Sequence, residues 1–252
     1  MMSDMLLSVR NLRKAYGALV VTDDVTLSIP QGELHAVIGP NGAGKTTLIH
    51  QLSGLASSQS GSITFAGHEV TGLSMQARTR LGLARSFQIT SILPRFSCLE
   101  NVALAVQARS GSSYRFFRNA SRERALNERA MERLDRVGLA DRAAVPAALL
   151  SHGEKRQLEI AIALATEPKL LLLDEPLAGT GGEDSVRLVE TLRSLKREMT
   201  LVLIEHDMDA VFSLADRVSV LVYGRIIATD TPERVRSNPE VRTAYLGEEE
   251  AL

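Results

Sequence analysis

One cysteine, no tryptophan and an aromatic content of 4% in 252 residues set the first limits on this chain. Cys98 alone can form neither an internal disulfide nor a cysteine-cluster metal site, which fits a reducing compartment. A formal net charge of −1 leaves no global basic field to draw the chain onto nucleic acid or anionic lipid, so no nucleic-acid partner is expected. The N-terminal MMSDMLLSVRNLRK lacks the charged-then-apolar pattern of a secretory signal, and a cytoplasmic location is expected. The strongest apolar runs, 170–173 and 201–204, fall far short of the roughly 18 residues a membrane span needs. Any service to a membrane would therefore rely on other chains for the crossing.

What is present is ordinary globular material, 44% apolar and 23% charged, in a length that suits one sizeable α/β domain or one with a smaller insertion. Runs at 35–38, 170–173, 201–204 and 218–222 read as strands buried on both faces of a mainly parallel sheet. Helical patterns at 45–55, 154–166 and 184–198 alternate with them, which means a layered α/β domain. The first 35 residues differ: short alternating runs broken by Gly17 and by Pro30-Gln31-Gly32 predict an antiparallel β edge. Residues 36–98 and 151–230 then form the core, 99–150 a mainly helical insertion without a strand-like run, and 231–252 a helical tail. The arginine-rich stretch 114–136 interleaves acids at helical spacing, Arg124 with Glu128 and Glu132 with Arg136, as a solvated helix face does. No internal repeat or low-complexity tract is present.

After the strand at 35–38 comes GPNGAGKTT, which fits G-x-x-x-x-G-K-[ST] with Gly39, Gly44, Lys45 and Thr46 in the fixed places. Small residues let consecutive N–H groups turn inward around phosphates, and the following helix aims its positive end at them. Gly39, Pro40, Asn41, Gly42, Ala43, Gly44, Lys45, Thr46 and Thr47 are thus the candidate nucleotide cradle. Lys45 would add charge at the β and γ phosphates and Thr46 would place its hydroxyl on Mg2+. The bare pattern arises by chance in on the order of one chain in a hundred of this length. Its position between a strand and a helix is what separates it from a plain glycine-rich turn.

A second chemical signal is LLLLDEP, in which a buried strand ends in two carboxylates where a parallel sheet places its ligands. Asp174 can hold Mg2+ and Glu175 can polarise an attacking water. A cap or a surface pair is the bland alternative, and it loses ground because phosphoryl transfer needs both this element and the glycine-rich loop. Upstream, Ser151, His152 and Gly153 precede a long amphipathic helix. Such a start is an N-cap by default, and also an anion site through its unpaired N–H groups and dipole.

The order of these motifs resembles the ABC ATPase family across nearly the whole chain. The resemblance implies a P-loop NTPase (RecA-like) α/β core with a parallel sheet, an N-terminal antiparallel β edge and a helical subdomain. It also implies ATP and Mg2+ as cofactors. In that family two subunits pair head to tail, and the signature loop of one closes on the γ-phosphate held by the other, so a second ABC ATPase subunit is the expected partner. Residue by residue, Gly39 to Thr46 match Walker A, Ser151 to Glu154 the signature, with Ser151, Gly153 and Glu154 on the nucleotide, and Asp174 and Glu175 Walker B. The resemblance further assigns Tyr16 to stacking on adenine, Gln88 to the loop that senses Mg2+ and the membrane partner, and His206 in LIEHD to the γ-phosphate switch, making Glu175 and His206 the catalytic pair. Taken singly, Tyr16, Gln88 and His206 would be an edge-strand residue, a polar loop residue and a strand-end histidine. Two departures stand out: His152 replaces a glycine of the signature, and Gly181 stands where many members have an Asp.

Within the family, LSHGEKRQLEIAIALATEPKLLLLDEP, GLARSFQ and the ending ERVRSNPEVRTAYLGEE resemble ATPases of bacterial branched-chain amino acid importers and their amide- or urea-importing relatives. That implies transmembrane permease subunits as partners and a place on the cytoplasmic face of the membrane. The tail pattern predicts a terminal helix packed back on the domain through Tyr245 and Leu246. Ile89, Ile92, Leu93 and Phe96, beyond Gln88, form an apolar cluster in a Pro-containing loop that would dock a permease helix; the rival is that they are core residues of the helical insertion. A lipopolysaccharide-type exporter ATPase is the nearest alternative function. A soluble ABC ATPase acting on DNA or ribosomes is the alternative from another class, though these carry two cassettes or long coiled-coil insertions.

Overall fold

Every residue of three short segments is buried, Leu34–Ile38 (β3), Leu170–Asp174 (β7) and Thr200–Ile204 (β8), because both faces of the sheet they form are covered. On β7, Leu171 and Leu173 pack toward the helical side while Leu170 and Leu172 pack toward the opposite side. This is the two-residue alternation of an extended chain, made apolar at every step by cover on both sides. The computed structural model describes residues 5–86, 92–109 and 124–249, with the backbone alone described from 245 onward.

The remaining elements follow in chain order. Met5–Tyr16 (β1) and Leu19–Pro30 (β2) precede β3; Lys45–Ser53 (α1), Ser60–Phe65 (β4), His68–Glu69 (β5), Met75–Leu81 (α2) and Leu83–Arg85 (β6) follow it. Cys98–Arg109 (α3), Arg124–Arg136 (α4) and His152–Leu164 (α5) lead to β7. Gly182–Leu195 (α6) separates β7 from β8, and Met208–Leu214 (α7), Arg217–Val222 (β9), Arg225–Asp230 (β10), Pro232–Ser237 (α8) and Pro239–Glu249 (α9) complete the chain. The larger sheet runs β10-β9-β3-β8-β7-β6, parallel except for β10, which returns antiparallel beside β9.

The smaller sheet runs β2-β1-β4-β5 and is antiparallel throughout. It therefore takes in residues 60–69, beyond the first 35 residues expected to form the β edge. The physical reason is that β1 has two hydrogen-bonding sides, and β2 fills only one. Arg78 of α2 is buried beneath α1 and donates to the carbonyls of Gln51 and Leu52, satisfying groups that a helix end leaves open.

Residues 98–109 and 124–136 are helical as expected, and α3, α4 and α5 share one apolar cluster with the helical face of the larger sheet. Of the two ion pairs read from spacing, Arg124 to Glu128 is formed at 2.7 Å. Arg136 instead pairs with Glu198, 62 positions away, because the end of α4 lies beside the segment after α6. The basic and aromatic stretch 114–118 lies outside the described residues. Val235 and Val241 of the tail are buried against the β9 side of the sheet, while the side chains of Tyr245 and Leu246 lie outside the described residues.

Candidate nucleotide site

The register of the parallel strands decides what meets what. Val37 on β3 and Asp174 on β7 both pair with Ile204 on the strand between them. The chain therefore leaves β3 at Gly39, β7 at Glu175 and β8 at Glu205 along one edge, the carboxyl end where open α/β sheets receive ligands.

The loop from Gly39 is shaped by where side chains are forbidden. A Cβ on Gly39 would collide with the carbonyl of Leu221, and one on Gly44 with the carbonyl of Val21. Gly44 also has φ 104, in the left-handed region that favours glycine. It caps α1 without any side-chain acceptor. Lys45 donates from Nζ to the carbonyls of Gly39 (2.6 Å) and Pro40 (2.9 Å), which lays its ammonium across the loop. Pro40 and Ala43 are buried, Thr47 is half-buried, and Asn41, Gly42 and Thr46 are exposed. A glycine-rich loop entering a helix start, with a cation laid across it, is suited to a phosphate chain. Because β2 touches Gly44 at Val21, the hairpin end carrying Tyr16 stands beside the loop. The Tyr16 ring is exposed there, with Lys14 Nζ 5.1 Å from its centre.

At the end of β7, Asp174 is buried and takes a 2.7 Å hydrogen bond on Oδ2 from Arg85 Nη2, while its buried Oδ1 has no hydrogen-bond partner among the described residues. His50 of α1 lies close to this pair: burial, and behind it the Arg85 charge, hold its pKa below the ordinary value against the pull of Asp174. Glu175 follows at φ 46, a left-handed conformation that costs a non-glycine residue of order 1–3 kcal/mol and concentrates at functional sites. Its N–H is held by the carbonyl of Ile204 at 2.8 Å.

Glu205 is wholly buried, and its carboxylate accepts the N–H groups of Leu177 (2.8 Å), His206 (2.9 Å) and Asp207 (3.3 Å). It thereby staples the loop after Glu175 to the backbone that carries His206, whose ring is exposed. Among the described residues no cluster of three or more His, Cys, Asp or Glu is placed to cage a metal. The unpartnered Oδ1 of Asp174 and the exposed residue Thr46 instead suit Mg2+, which is held by one or two protein oxygens together with phosphates and water. Gln88 and Ile89 lie outside the described residues.

The start of α5 is built separately. Ser151 Oγ accepts the Glu154 N–H at 3.1 Å, and Glu154 Oε2 accepts the Ser151 N–H at 2.8 Å, a reciprocal capping box. Burial opposes the Glu154 carboxylate, yet the Ser151 N–H and the hydrogen bond and charge of Arg142 hold its pKa below the usual range. Asp184 from the first turn of α6 lies against Gly153 and takes a long 3.4 Å hydrogen bond from Ser151 Oγ. His152 fits where the signature has a glycine because its ring points away, with Nε2 3.2 Å from the carbonyl of Ala178. Gly181 caps α6 in extended backbone, φ −97, so an Asp would fit there without strain.

Sequence reasoning did not single out Arg85, Glu205 or Asp184, although each lies in or beside a quoted motif. The signal for the first two was a charge in strand-like, apolar surroundings, since such residues are seldom buried without a partner. Among the described residues no helix is long and apolar enough to cross a membrane.

Comparison with known proteins agrees with this geometry. Residues 22–178 match the ABC transporter family, and residues 225–251 match a branched-chain amino acid ATP-binding cassette transporter family. The high-affinity branched-chain amino acid transport ATP-binding protein LivG of Salmonella typhimurium is 37% identical over 254 residues, covering 98% of this chain and 100% of that protein. BraF of Pseudomonas aeruginosa, with the same description, is 35% identical over 256 residues, covering 98% of this chain and 100% of that protein. A crystal structure of the ADP conformation of an ATP-binding cassette of an ABC transporter superposes with a TM-score of 0.85 at 28% identity, covering 96% of this chain and 99% of that one. Matched along most of its length and related end to end, the chain belongs to the ABC transporter family, as an ATP-binding subunit that hydrolyses ATP.

Proposed function

We propose that this chain works as one of two ATPase subunits on the cytoplasmic face of a transporter whose membrane-crossing parts are other chains. The solutes imported are branched-chain amino acids or related small amides and urea. The carrying observation is that two phosphate-type helix starts sit in one chain, each with its own set of partners. The Ser151 to Glu154 start is tied to Arg142, Ala178 and Asp184, and none of those ties reaches residues 39–47. A second subunit placed head to tail would bring each start to the other's nucleotide. The solute class draws support from the named transport role of the relatives and from the match over the C-terminal segment.

In this reading Tyr16 stacks on adenine and the backbone N–H groups from Asn41 to Thr47 wrap the phosphates. Lys45 exchanges its contacts with Gly39 and Pro40 for β and γ oxygens. Thr46 and Asp174, and by the family resemblance Gln88, would hold Mg2+, which would supply positive charge against that spreading on the phosphates. Glu175 orients the attacking water, and His206, its backbone fixed by Glu205, meets the γ-phosphate. Ser151, Gly153 and Glu154 of the partner's α5 complete the pocket.

The permease docks on the loop 92–97. Asn101 holds that loop by accepting from Leu93 N (2.7 Å) and donating to the carbonyls of Leu93, Phe96 and Ser97. Ile92 packs against the core, while Leu93 and Phe96 remain 44% and 41% exposed. The test is mild-detergent isolation of the complex, identification of the copurifying chains, and ATP turnover in proteoliposomes with leucine, small amides or urea. Phe96→Asp is expected to cut permease recovery about tenfold, the loss of one buried aromatic anchor. Recovery at full yield removes the docking surface, and turnover blind to all three solute types removes the solute class.

A further inference from the structure

Arg85 and Asp174 form an ion pair in an unusual condition. Their side chains are 4% and 1% exposed, they meet through a single 2.7 Å contact between Nη2 and Oδ2, and they come from neighbouring strands, β6 and β7. Among the described residues, Arg85 Nε and Nη1 and Asp174 Oδ1 are all buried without a hydrogen-bond partner. A guanidinium selected for stability would engage a carboxylate with two parallel N–H bonds. A half-satisfied buried pair is a poor source of stability, because each group stripped of water without a partner counts against folding. The pair is better explained by what its open atom is for.

The geometry makes that atom specific. Arg85 occupies Oδ2 and so fixes the rotation of the carboxylate, and the oxygen left open is Oδ1. Arg85 is also the last residue of β6, held in register by the Ser86 N–H on the Leu172 carbonyl (2.9 Å). The next residues along the chain lead to Gln88.

We propose that Arg85 is a positioning residue for the divalent cation that accompanies ATP: by holding Oδ2 it presents Asp174 Oδ1 to the cation, directly or through a bound water. This rests on the reading that Mg2+ binds with the nucleotide at Asp174. It makes a prediction opposite to that of simple charge repulsion. Removing a positive charge near a cation site would tighten Mg2+ binding if charge alone counted. Removing an anchor weakens it, because the carboxylate is then free to turn away from the cation.

The test is equilibrium binding of a fluorescent ATP analogue to the full chain, with Mg2+ titrated in one arm and EDTA present in the other. In wild type, Mg2+ tightens nucleotide binding; if it does not, the Mg2+ reading itself fails, separately from the role of Arg85. In Arg85→Met the Mg2+ midpoint is expected to rise about tenfold, the effect of one misplaced ligand of about 1.4 kcal/mol. Affinity in EDTA should stay within about twofold of wild type, and Arg85→Lys should fall between, at about threefold. A midpoint that is unchanged or lower in folded Arg85→Met overturns the proposal. So does an equal loss of affinity in both arms, which would mark a merely structural residue. If Arg85→Met does not fold, Arg85→Lys decides by the same two arms, and failure of both to fold makes the pair a stability element and also overturns it.

Discussion

The starts of α1 and α5 both read as anion seats in the sequence, yet the chain builds them by opposite means. At α1 the cap is Gly44 in left-handed backbone, with no side-chain acceptor over the first amides. At α5 the cap is Ser151, bonded reciprocally with Glu154, and Asp184 lies against Gly153. The first start keeps side chains away from its amides and leaves them to a ligand. The second supplies its own acceptors, so a phosphate arriving there must join or displace an existing carboxylate. In the proposed reading the first start offers its amides directly to a phosphate, whereas the second already carries a capping carboxylate of its own.

Separating the two seats begins with stopping the chemistry. Glu175→Gln leaves both helix starts intact and should lower ATP turnover by roughly 10²–10⁴-fold, the range for losing a general base. Nucleotide binding should persist and ATP-bound pairs should accumulate on size exclusion; undiminished turnover removes Glu175 from its role.

Breaking the first seat comes next in size. Gly44→Ala forces a Cβ onto the Val21 carbonyl in left-handed backbone, and about 3 kcal/mol of strain would weaken ATP binding by the isolated chain about 100-fold. Titration with a fluorescent ATP analogue reads this directly, and wild-type affinity would show that the loop yields without cost.

The second seat should behave differently. Gly153→Ala drives Asp184 aside, and turnover should fall about tenfold, roughly 1.4 kcal/mol in the barrier, while ATP affinity of the isolated chain stays within about twofold. A parallel loss of affinity would mean that the two starts are not independent. The smallest effect is expected for Ser151→Ala, which removes the cap and should cost about 1 kcal/mol of stability, read as a lower urea midpoint at unchanged slope. No change in midpoint would show that Asp184 and Glu154 hold the start of α5 without the serine.

Much of this architecture was legible because it depends on neighbours in the chain. The glycine-rich loop announces itself by the spacing of Gly39, Gly44 and Lys45, and the buried strands by runs too apolar for a one-sided sheet. Ser151 and Glu154 announce a helix start three residues apart. The long-range contacts of Arg85, Glu205 and Asp184, to Asp174, Leu177 and Ser151, were not legible for the opposite reason: those partners lie 89, 28 and 33 positions away. The same holds for Arg136, whose nearby acid in the sequence was passed over for Glu198.

By itself the sequence determined the α/β class, the phosphate loop, the two carboxylates at a strand end and the capped start of α5, since each follows from local stereochemistry and short-range periodicity. Only the tertiary structure decided that β8 lies between β3 and β7, which brings Gly39, Glu175 and Glu205 to one edge. It alone turned Asp174 so that one oxygen is held and the other is open. Strand order and register arise from packing between segments far apart in the chain, and no local pattern specifies which buried strand will lie beside which.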